Sequence, residues 1–358
     1  MKLDGKRIVV VCGSGGVGKT TVSAALALRL ASERERVTIL AVDPAKRLAT
    51  ALGLPRTPGG RATVRSNGTK LEAQLLDTKR TFDELIEQHA GTEERKRRIM
   101  ENRFYQRIAD TLSGTHEYMA MERLYELATT EAWDGIVIDT PPTRSALSFL
   151  DAPNRMTDFL GGQVLKWLLW PYRRGGRMGL RGMSLGAQAF AKTLGRIAGS
   201  ELLSDLGQFL AAFEGMYEGF KQRAARVLQL LREEQTGFVV VTAPEAGSLK
   251  EAGHFVDRLA PAGMHLSGVV VNRWTQAPAL RAPQDAREKL AGGTSEQRAL
   301  AAGLEVSELL WALESRESNA TAPFAARHPD IPLTIVPRLP LDVHDVAGLE
   351  RVATYLSP

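Results

Sequence analysis

The stretch Gly13-Ser14-Gly15-Gly16-Val17-Gly18-Lys19-Thr20-Thr21 decides the fold. It satisfies the pattern GxxxxGK[ST], and its neighbours supply the context that pattern requires. Before it, Arg7 to Cys12 reads as a buried strand; after it, Lys19 to Leu30 has the small and apolar periodicity of a helix packed on a sheet. Strand, glycine turn and helix in that order make a cradle for phosphate. Glycines let successive backbone N–H groups curl around phosphate oxygens, and the helix adds its positive end. Lys19 can reach terminal phosphates, and the Thr20 hydroxyl can coordinate magnesium. The neighbouring Cys12 reads as a small buried residue rather than a nucleophile.

Working outward, Val37 to Val42 is a second apolar strand, and Lys70 to Leu76 a third after a loop containing Thr57, Pro58, Gly59 and Gly60. Dense mixed charge from Thr81 to Arg107 describes solvated helices, and Glu117 to Leu127 continues helical. Gly135 to Asp139 is a central strand that ends in an acid. Phe238 to Thr242, Leu266 to Val271 and Leu333 to Val336 are continuously apolar, as parallel strands covered on both faces are. Helical stretches at Leu249 to Leu259, Ala286 to Leu290 and Leu304 to Glu314 separate them. The alternation predicts an α/β fold: a mostly parallel, doubly wound sheet of the P-loop type carrying an inserted helical subdomain. Residues 1–358 read as one domain, with the subdomain formed mainly by 152–231 and a contribution from 80–127.

Two acids complete a minimal phosphate chemistry. Asp43 follows the second strand at the loop's edge of the sheet, where it could orient or deprotonate an attacking water. Asp139 ends its strand at the same edge, where it could hold a magnesium shell through water. Strand ends of a parallel sheet converge, so acids remote in sequence can serve one phosphate. The plain alternative for each is a cap on the following turn.

Composition narrows the remaining choices. Cys12 is the sole cysteine, which excludes an intramolecular disulfide framework, a CxxC zinc site and a thiolate cage for a metalloid; a reducing cytoplasm fits. The start MKLDGKR leads straight into Ile8 to Val11 without a signal-peptide core, and no apolar window is long enough to cross a bilayer. Lys and Arg number 46 against 41 Asp and Glu, a net charge of +5. Yet from Phe159 to Ser200 there is no acid, while Lys166, Arg173, Arg174, Arg177, Arg181, Lys192 and Arg196 are basic, so the excess is local and the rest is slightly acidic. That window also holds Trp167, Trp170, Tyr172 and many glycines. Three readings stay open for it: core closure with arginines facing water, a groove for a client or partner helix, and contact with a membrane surface. Nucleic acid is disfavoured, because the aromatic and apolar character exceeds what phosphate binding needs.

The motifs together resemble the arsenical-pump and tail-anchored-protein-targeting ATPases, within the deviant Walker A group of P-loop proteins. The resemblance rests on Gly13 to Thr21, on Asp43-Pro44-Ala45 with Leu48, on Asp139-Thr140-Pro141-Pro142-Thr143 and on Gly114 to Met121. It continues through Thr242-Ala243-Pro244-Glu245, Val271-Asn272-Arg273 and Val336-Pro337-Arg338. It implies a dimeric, magnesium-dependent ATPase in which Lys19 binds phosphate, Thr20 binds magnesium, Asp43 positions the attacking water and belongs with Asp139 to the residues that support the metal. It also implies that Asn272 reads adenine and that the loop with Pro337 and Arg338 closes over the base. ATP rather than GTP follows, and no guanine-specifying NKxD sequence is apparent. Read without the family, Asn272 is a polar turn residue at a strand end.

The departures from the family are specific. Ser14 stands where the group carries a lysine that reaches the partner's phosphates. Lys46-Arg47-Leu48-Ala49-Thr50 replace a histidine-containing stretch, and Arg144 and Ser145 replace a glycine and a histidine. The family's zinc and metalloid cysteines are absent, so neither site is expected. These differences imply slow or assisted hydrolysis, drawing on Lys46 or Arg144 or on a related subunit, in a homodimer or a heterodimer with a lysine-bearing relative. The competing reading is an ATP-binding regulatory subunit that hydrolyses little. A dinucleotide oxidoreductase is remote, since Lys19-Thr20 belongs to triphosphate binding. The expected location is the cytoplasm, with peripheral contact at the inner face of a membrane as an option.

Overall fold

Strands β1 (Ile8–Cys12), β2 (Val37–Ala41), β3 (Arg61–Ser66), β4 (Thr69–Leu75), β5 (Gly135–Asp139), β6 (Thr236–Thr242), β7 (Leu266–Trp274) and β8 (Leu333–Pro337) form one sheet in the order β3-β4-β2-β5-β1-β6-β7-β8. Every neighbouring pair is parallel except β3 with β4. The computed structural model describes residues 1–42, 52, 59–108, 115–130, 132–140, 205, 209, 217–279, 281, 283 and 285–356. Asp43, Lys46, Arg144, Ser145 and the whole basic window 159–200 lie outside the described residues, as do most of 152–231.

The central strands are apolar throughout because both faces of the sheet are covered. In β1, Ile8, Val10 and Cys12 face one core and Val9 and Val11 the other; β6 alternates in the same way, with Phe238 and Val240 against Val239 and Val241. The first core is closed by α2 (Thr78–His89), α3 (Glu93–Met100), α4 (Arg103–Ile108), α5 (Thr115–Thr129), α6 (Tyr217–Arg232) and α7 (Ala246–Leu259). The second is closed by α1 (Lys19–Glu33) and α10 (Val346–Tyr355). Each fully buried Val, Leu, Ile or Phe contributes about 1.5–3 kcal/mol. Burial over two faces is therefore what holds a parallel sheet of short strands.

The edge departs from expectation. Residues 61–66, next to the anticipated loop at 57–60, form an additional strand that runs antiparallel to β4. Its turn is Asn67-Gly68, both at positive φ (48° and 78°), the two-residue geometry that matches strand twist. Arg61 and Arg65 alternate outward along it, which suits a sheet edge that must not recruit another strand.

Helix α9 (Ser295–Arg327) also exceeds the stretch anticipated at Leu304 to Glu314. A capping box starts it: the Thr294 hydroxyl accepts from Gln297 N–H, and the Gln297 side chain accepts from Thr294 N–H. It continues through Pro323, one turn before its end. The short helix α8 (Ala286–Ala291) packs beside its first half, and α7 beside its second.

The long connection from β5 to β6 returns to the sheet through α6, which packs against α5. A buried polar cluster joins these two helices. Glu122 accepts from the Tyr118 hydroxyl at 2.6 Å and from Arg223 Nε at 2.7 Å, and the Arg223 guanidinium lies 4.5 Å from the Tyr125 ring centre. Burial holds the Glu122 carboxyl above the usual carboxylate range, against the pull of its two partners.

Candidate functional site: the phosphate loop and its neighbouring cavity

The loop from Gly13 to Gly18 leaves β1 at the C-terminal edge of the sheet. Gly13 has φ 150°, and a Cβ there would stand 2.1 Å from the Val241 carbonyl oxygen, so only glycine lets the loop pass β6. Gly18 is the N-cap of α1 in the left-handed region, φ 93°. A glycine N-cap has no side chain to bond the helix start, and the first turn holds no acid. A helix start of this kind, with a glycine N-cap and no acid, suits an external anion. Lys19 is buried, and its Nζ donates to the Ser14 carbonyl at 2.9 Å, folding the ammonium back across the loop.

Asp139 belongs here by strand alternation. It lies level with Val11 and Ala41 in its two neighbours, on the face covered by α1. The Ser23 hydroxyl, one helical turn after Lys19, lies 3.0 Å from Asp139 Oδ1 and 2.9 Å from the Lys19 carbonyl, sharing its one proton between them. Thr140 anchors the next residue, its hydroxyl donating to the Val11 carbonyl at 2.8 Å. The second strand leaves the sheet at Val42, whose N–H donates to the Asp139 carbonyl at 3.2 Å, so the chain heading for Asp43 departs beside Asp139. Ser23 went unnoticed in the sequence reading. Its signal was a hydroxyl four residues after Lys19 in an otherwise apolar buried helix.

Cys12 is fully buried on the opposite face, and burial pushes its thiol up to about 12. A thiol held protonated to that extent is a packing residue.

Asn272 is drawn into the same site from β7. Its Nδ2 donates to the Val17 carbonyl at 2.9 Å, and a Cβ on Gly18 would lie 2.2 Å from that nitrogen. Beyond it the ladder slips. Asn272 pairs with Val336 and Trp274 with Pro337, leaving Arg273 as a bulge at φ 63°. The Arg338 N–H donates to the Trp274 carbonyl at 2.8 Å, securing the loop after β8 to the bulge. Helix α9 braces the other side: Glu317 is buried and accepts from Thr275 N–H at 2.6 Å and from its hydroxyl at 2.7 Å. The end of β7, the loop after β8, α1 and α10 wall a cavity of about 720 Å³ that opens directly from Gly18, Thr20 and Thr21 and is bounded by Asn272, Arg273, Pro337, Arg338, Asp342 and His344. The structure therefore brings Gly13 to Thr21, Asp139, Asn272, Pro337 and Arg338 to one edge of the sheet, whereas Asp43 lies outside the described residues. The role of Glu317 was not visible in the sequence, since it acts from another helix through Thr275.

A glycine loop, an uncapped helix start and a buried lysine at the C-terminal edge of a parallel sheet define a P-loop nucleotide-binding protein. Comparison with known proteins carries this to a family. Residues 6–285 match the anion-transporting ATPase family, and the chain belongs to it. It is 30% identical over 271 residues to the ATPase GET3 of Malassezia globosa, covering 74% of this chain and 72% of that one. It is 31% identical to the ATPase ARSA2 of Chlamydomonas reinhardtii, covering 74% and 67%. To the ATPase GET3 of Rhodotorula glutinis it is 27% identical, covering 75% and 70%. The family match ends before α8, so α9, β8 and the Pro337-Arg338 loop lie beyond it.

Proposed function

We propose that this chain is a magnesium-dependent ATPase whose nucleotide state repositions an adjoining helical surface. The observation that carries the reading is the continuity of the α1 N-terminus, an anion-accepting helix end, with the neighbouring cavity, which leaves room beside it for a nucleoside. Backbone N–H groups from Gly15 to Lys19 and the Lys19 ammonium take the phosphates. Thr20 and Asp139 are the residues that would hold magnesium, Thr20 directly and Asp139 through water. The metal would neutralise charge on the phosphate oxygens. Asp43 accepts a hydrogen bond from the attacking water and aligns it for transfer of the terminal phosphoryl group, giving ADP and phosphate. Asn272 and the loop at Pro337 and Arg338 hold the base. Loss of the phosphate relaxes the segments after Val42 and after Asp139, and the second leads into the helical subdomain.

Ser14 favours a second form of this reading. Its side chain carries no charge, so a chain acting with its own copy lacks the family's second cation at the phosphates. We infer slow hydrolysis, assisted by Lys46 or Arg144 or by a lysine-bearing relative in a mixed dimer; at the limit the chain binds ATP in a regulatory role. Residues 159–200 supply the surface for a client helix or a membrane, in the cytoplasm. The test is ATP binding and turnover by the native chain and by Asp43→Asn, alone and with the candidate relative. Turnover in the native chain that Asp43→Asn abolishes while ATP binding persists supports the enzyme. ATP binding without turnover in either protein, relative included, ends the enzymatic reading and leaves the regulatory one.

A further inference from the structure

At the edge of the sheet opposite the phosphate loop, Gly5, Lys6, Arg7, Arg34, Trp133 and Asp134 line an open cleft of about 600 Å³. Three of these residues are cations, and each is held by backbone carbonyls rather than by a carboxylate. Arg7 Nε donates to the Trp133 carbonyl at 2.9 Å. Arg34, the C-cap of α1, donates from Nη1 to the Lys6 carbonyl at 2.7 Å and to the Asp134 carbonyl at 3.2 Å. Lys6 Nζ donates to the Glu234 carbonyl, just past α6. Asp134, the one acid of the wall among the described residues, is already engaged. It accepts from the Arg36 N–H at 3.1 Å, from Arg36 Nε at 3.2 Å and from Nη2 at 2.7 Å, and that guanidinium holds its carboxyl below the usual carboxylate range. Asp4, Glu35 and Glu234 belong to adjoining segments but do not line the cleft.

Charge does not balance at this cleft. With Arg36 set against Asp134, the cations Lys6, Arg7 and Arg34 remain. Helices α1, α5 and α6 each end shortly before a strand that begins at this edge, and a helix C-terminus offers roughly half a negative charge. Three such ends against three cations leave an excess of about one and a half positive charges. Arg7 gives a second sign. Its Nη2 is shielded from water and bonds to nothing among the described residues, whereas a buried donor ordinarily has a partner. Trp133, half-buried and packed against the first core, supplies an apolar wall beside the cations.

We propose that this cleft binds the phosphate group of a phosphate monoester, with the organic part of the ester against Trp133. A monoester carries about −1.5 to −2 charges at neutral pH, which matches the excess, and its three terminal oxygens suit the guanidinium donors of Arg7 and Arg34. A bare phosphate would leave the Trp133 wall and most of the cleft empty, and the volume lies within the range of small-molecule sites. The site stands apart from Gly13 to Thr21, so both can be filled together. Its cations also hold the chain returning to the sheet: Lys6 bonds to Glu234, and the Arg7 N–H donates to the Gln235 carbonyl at 2.8 Å. A ligand on them therefore bears on the segment that leads into β6.

The probe is phenyl phosphate, titrated by calorimetry against the full chain. Lys19→Ala, which disables the phosphate loop, is expected to keep a binding site for it. Arg34→Gln is expected to weaken that site at least tenfold, and Arg34→Lys, which keeps the charge but not the fork, by less. Binding lost in Lys19→Ala and retained in Arg34→Gln would confine the anion to the phosphate loop and overturn the proposal. ATP binding, measured separately, bears only on the loop. The native chain gives a readout that needs no substitution: phenyl phosphate is expected to slow hydrogen exchange in residues 5–8 and 132–136. Unchanged exchange there would overturn the proposal even if Arg34→Gln failed to fold. Co-sedimentation with phosphatidylcholine vesicles containing phosphatidate separates the two sources of a monoester. Pelleting that Arg34→Gln abolishes assigns it to a lipid headgroup; no pelleting, with phenyl phosphate bound, assigns it to a free solute.

Discussion

The two ends of the nucleotide site are built by opposite means. The phosphate end comes from one run of nine residues, Gly13 to Thr21, whose geometry is local: positive φ at glycines and an unsatisfied helix start. The cavity end is assembled from remote segments, with Asn272 and Arg273 from β7, Pro337 and Arg338 from the end of β8 and its exit, and Leu349 and Val352 from α10, while Glu317 of α9 supports it from outside through Thr275. A contiguous site can be read from sequence because each residue's role depends on its neighbours. A composite site depends on which strands lie side by side, and that is known only once the sheet order is known.

This contrast can be broken experimentally, and the largest effect is expected at the contiguous end. Lys19→Ala removes the buried ammonium at the loop; ATP turnover, measured by phosphate release, is expected to fall at least about a hundredfold. Gly18→Ala couples the two ends, since the new methyl collides with Asn272 Nδ2 and the backbone stays at φ 93°. A loss of about 1–3 kcal/mol in unfolding free energy is expected from denaturant titration, together with weakened nucleotide binding. Asn272→Ala removes one buried hydrogen bond, and about 1–2 kcal/mol of stability with it. It is also expected to weaken ATP binding about tenfold while leaving inorganic triphosphate binding unchanged, as calorimetry would show. If triphosphate binding fell equally, the cavity end would not be a separate base site. Glu317→Gln, which cannot accept twice with a full charge, is expected to weaken ATP binding only about threefold.

The smallest effect concerns pH, away from the site. Burial and the nearby Arg223 cation lower the His89 pKa, so the fold prefers the neutral ring. Stability from this residue is present above the ordinary histidine pKa, about 6.5, and is lost as pH falls below it. His89→Gln is expected to lose less melting temperature than the native chain between pH 7.5 and 5.5; equal losses would remove His89 from the account.

The interior of the sheet was legible in the sequence because burial on both faces leaves no freedom of composition: β1, β2, β5, β6 and β7 all read as apolar runs, whereas β8, expected to be covered on both faces as well, is the sheet's other edge, with Val336 buried and Ile335 exposed. The edge was less legible. β3 has one buried residue and two exposed arginines and carried no apolar run, although Asn67-Gly68 marks a hairpin turn. Of α9 only the middle was read, because its first turns are polar or exposed and Pro323 argues locally against helix. Asp139 was placed at the phosphate edge from its strand end, but its contact with Ser23 needed the alternation of β5 against α1. The Arg273 bulge carried no sequence signal, being a register slip between two strands that each read as regular.

β5 and β6 flank β1 on its two sides, yet the chain that joins them departs and returns at opposite edges of the sheet. It departs at Asp139 and Thr140, among the residues that surround the phosphate loop. It returns through α6 into Thr236, at the far edge, where the Arg7 and Ile8 N–H groups both donate to the Gln235 carbonyl. The two ends of the connection are thus fixed to unlike surroundings: the departing end belongs to the phosphate edge, and the returning end is held by backbone bonds at the edge farthest from it, with Glu122 and Arg223 tying α6 to α5.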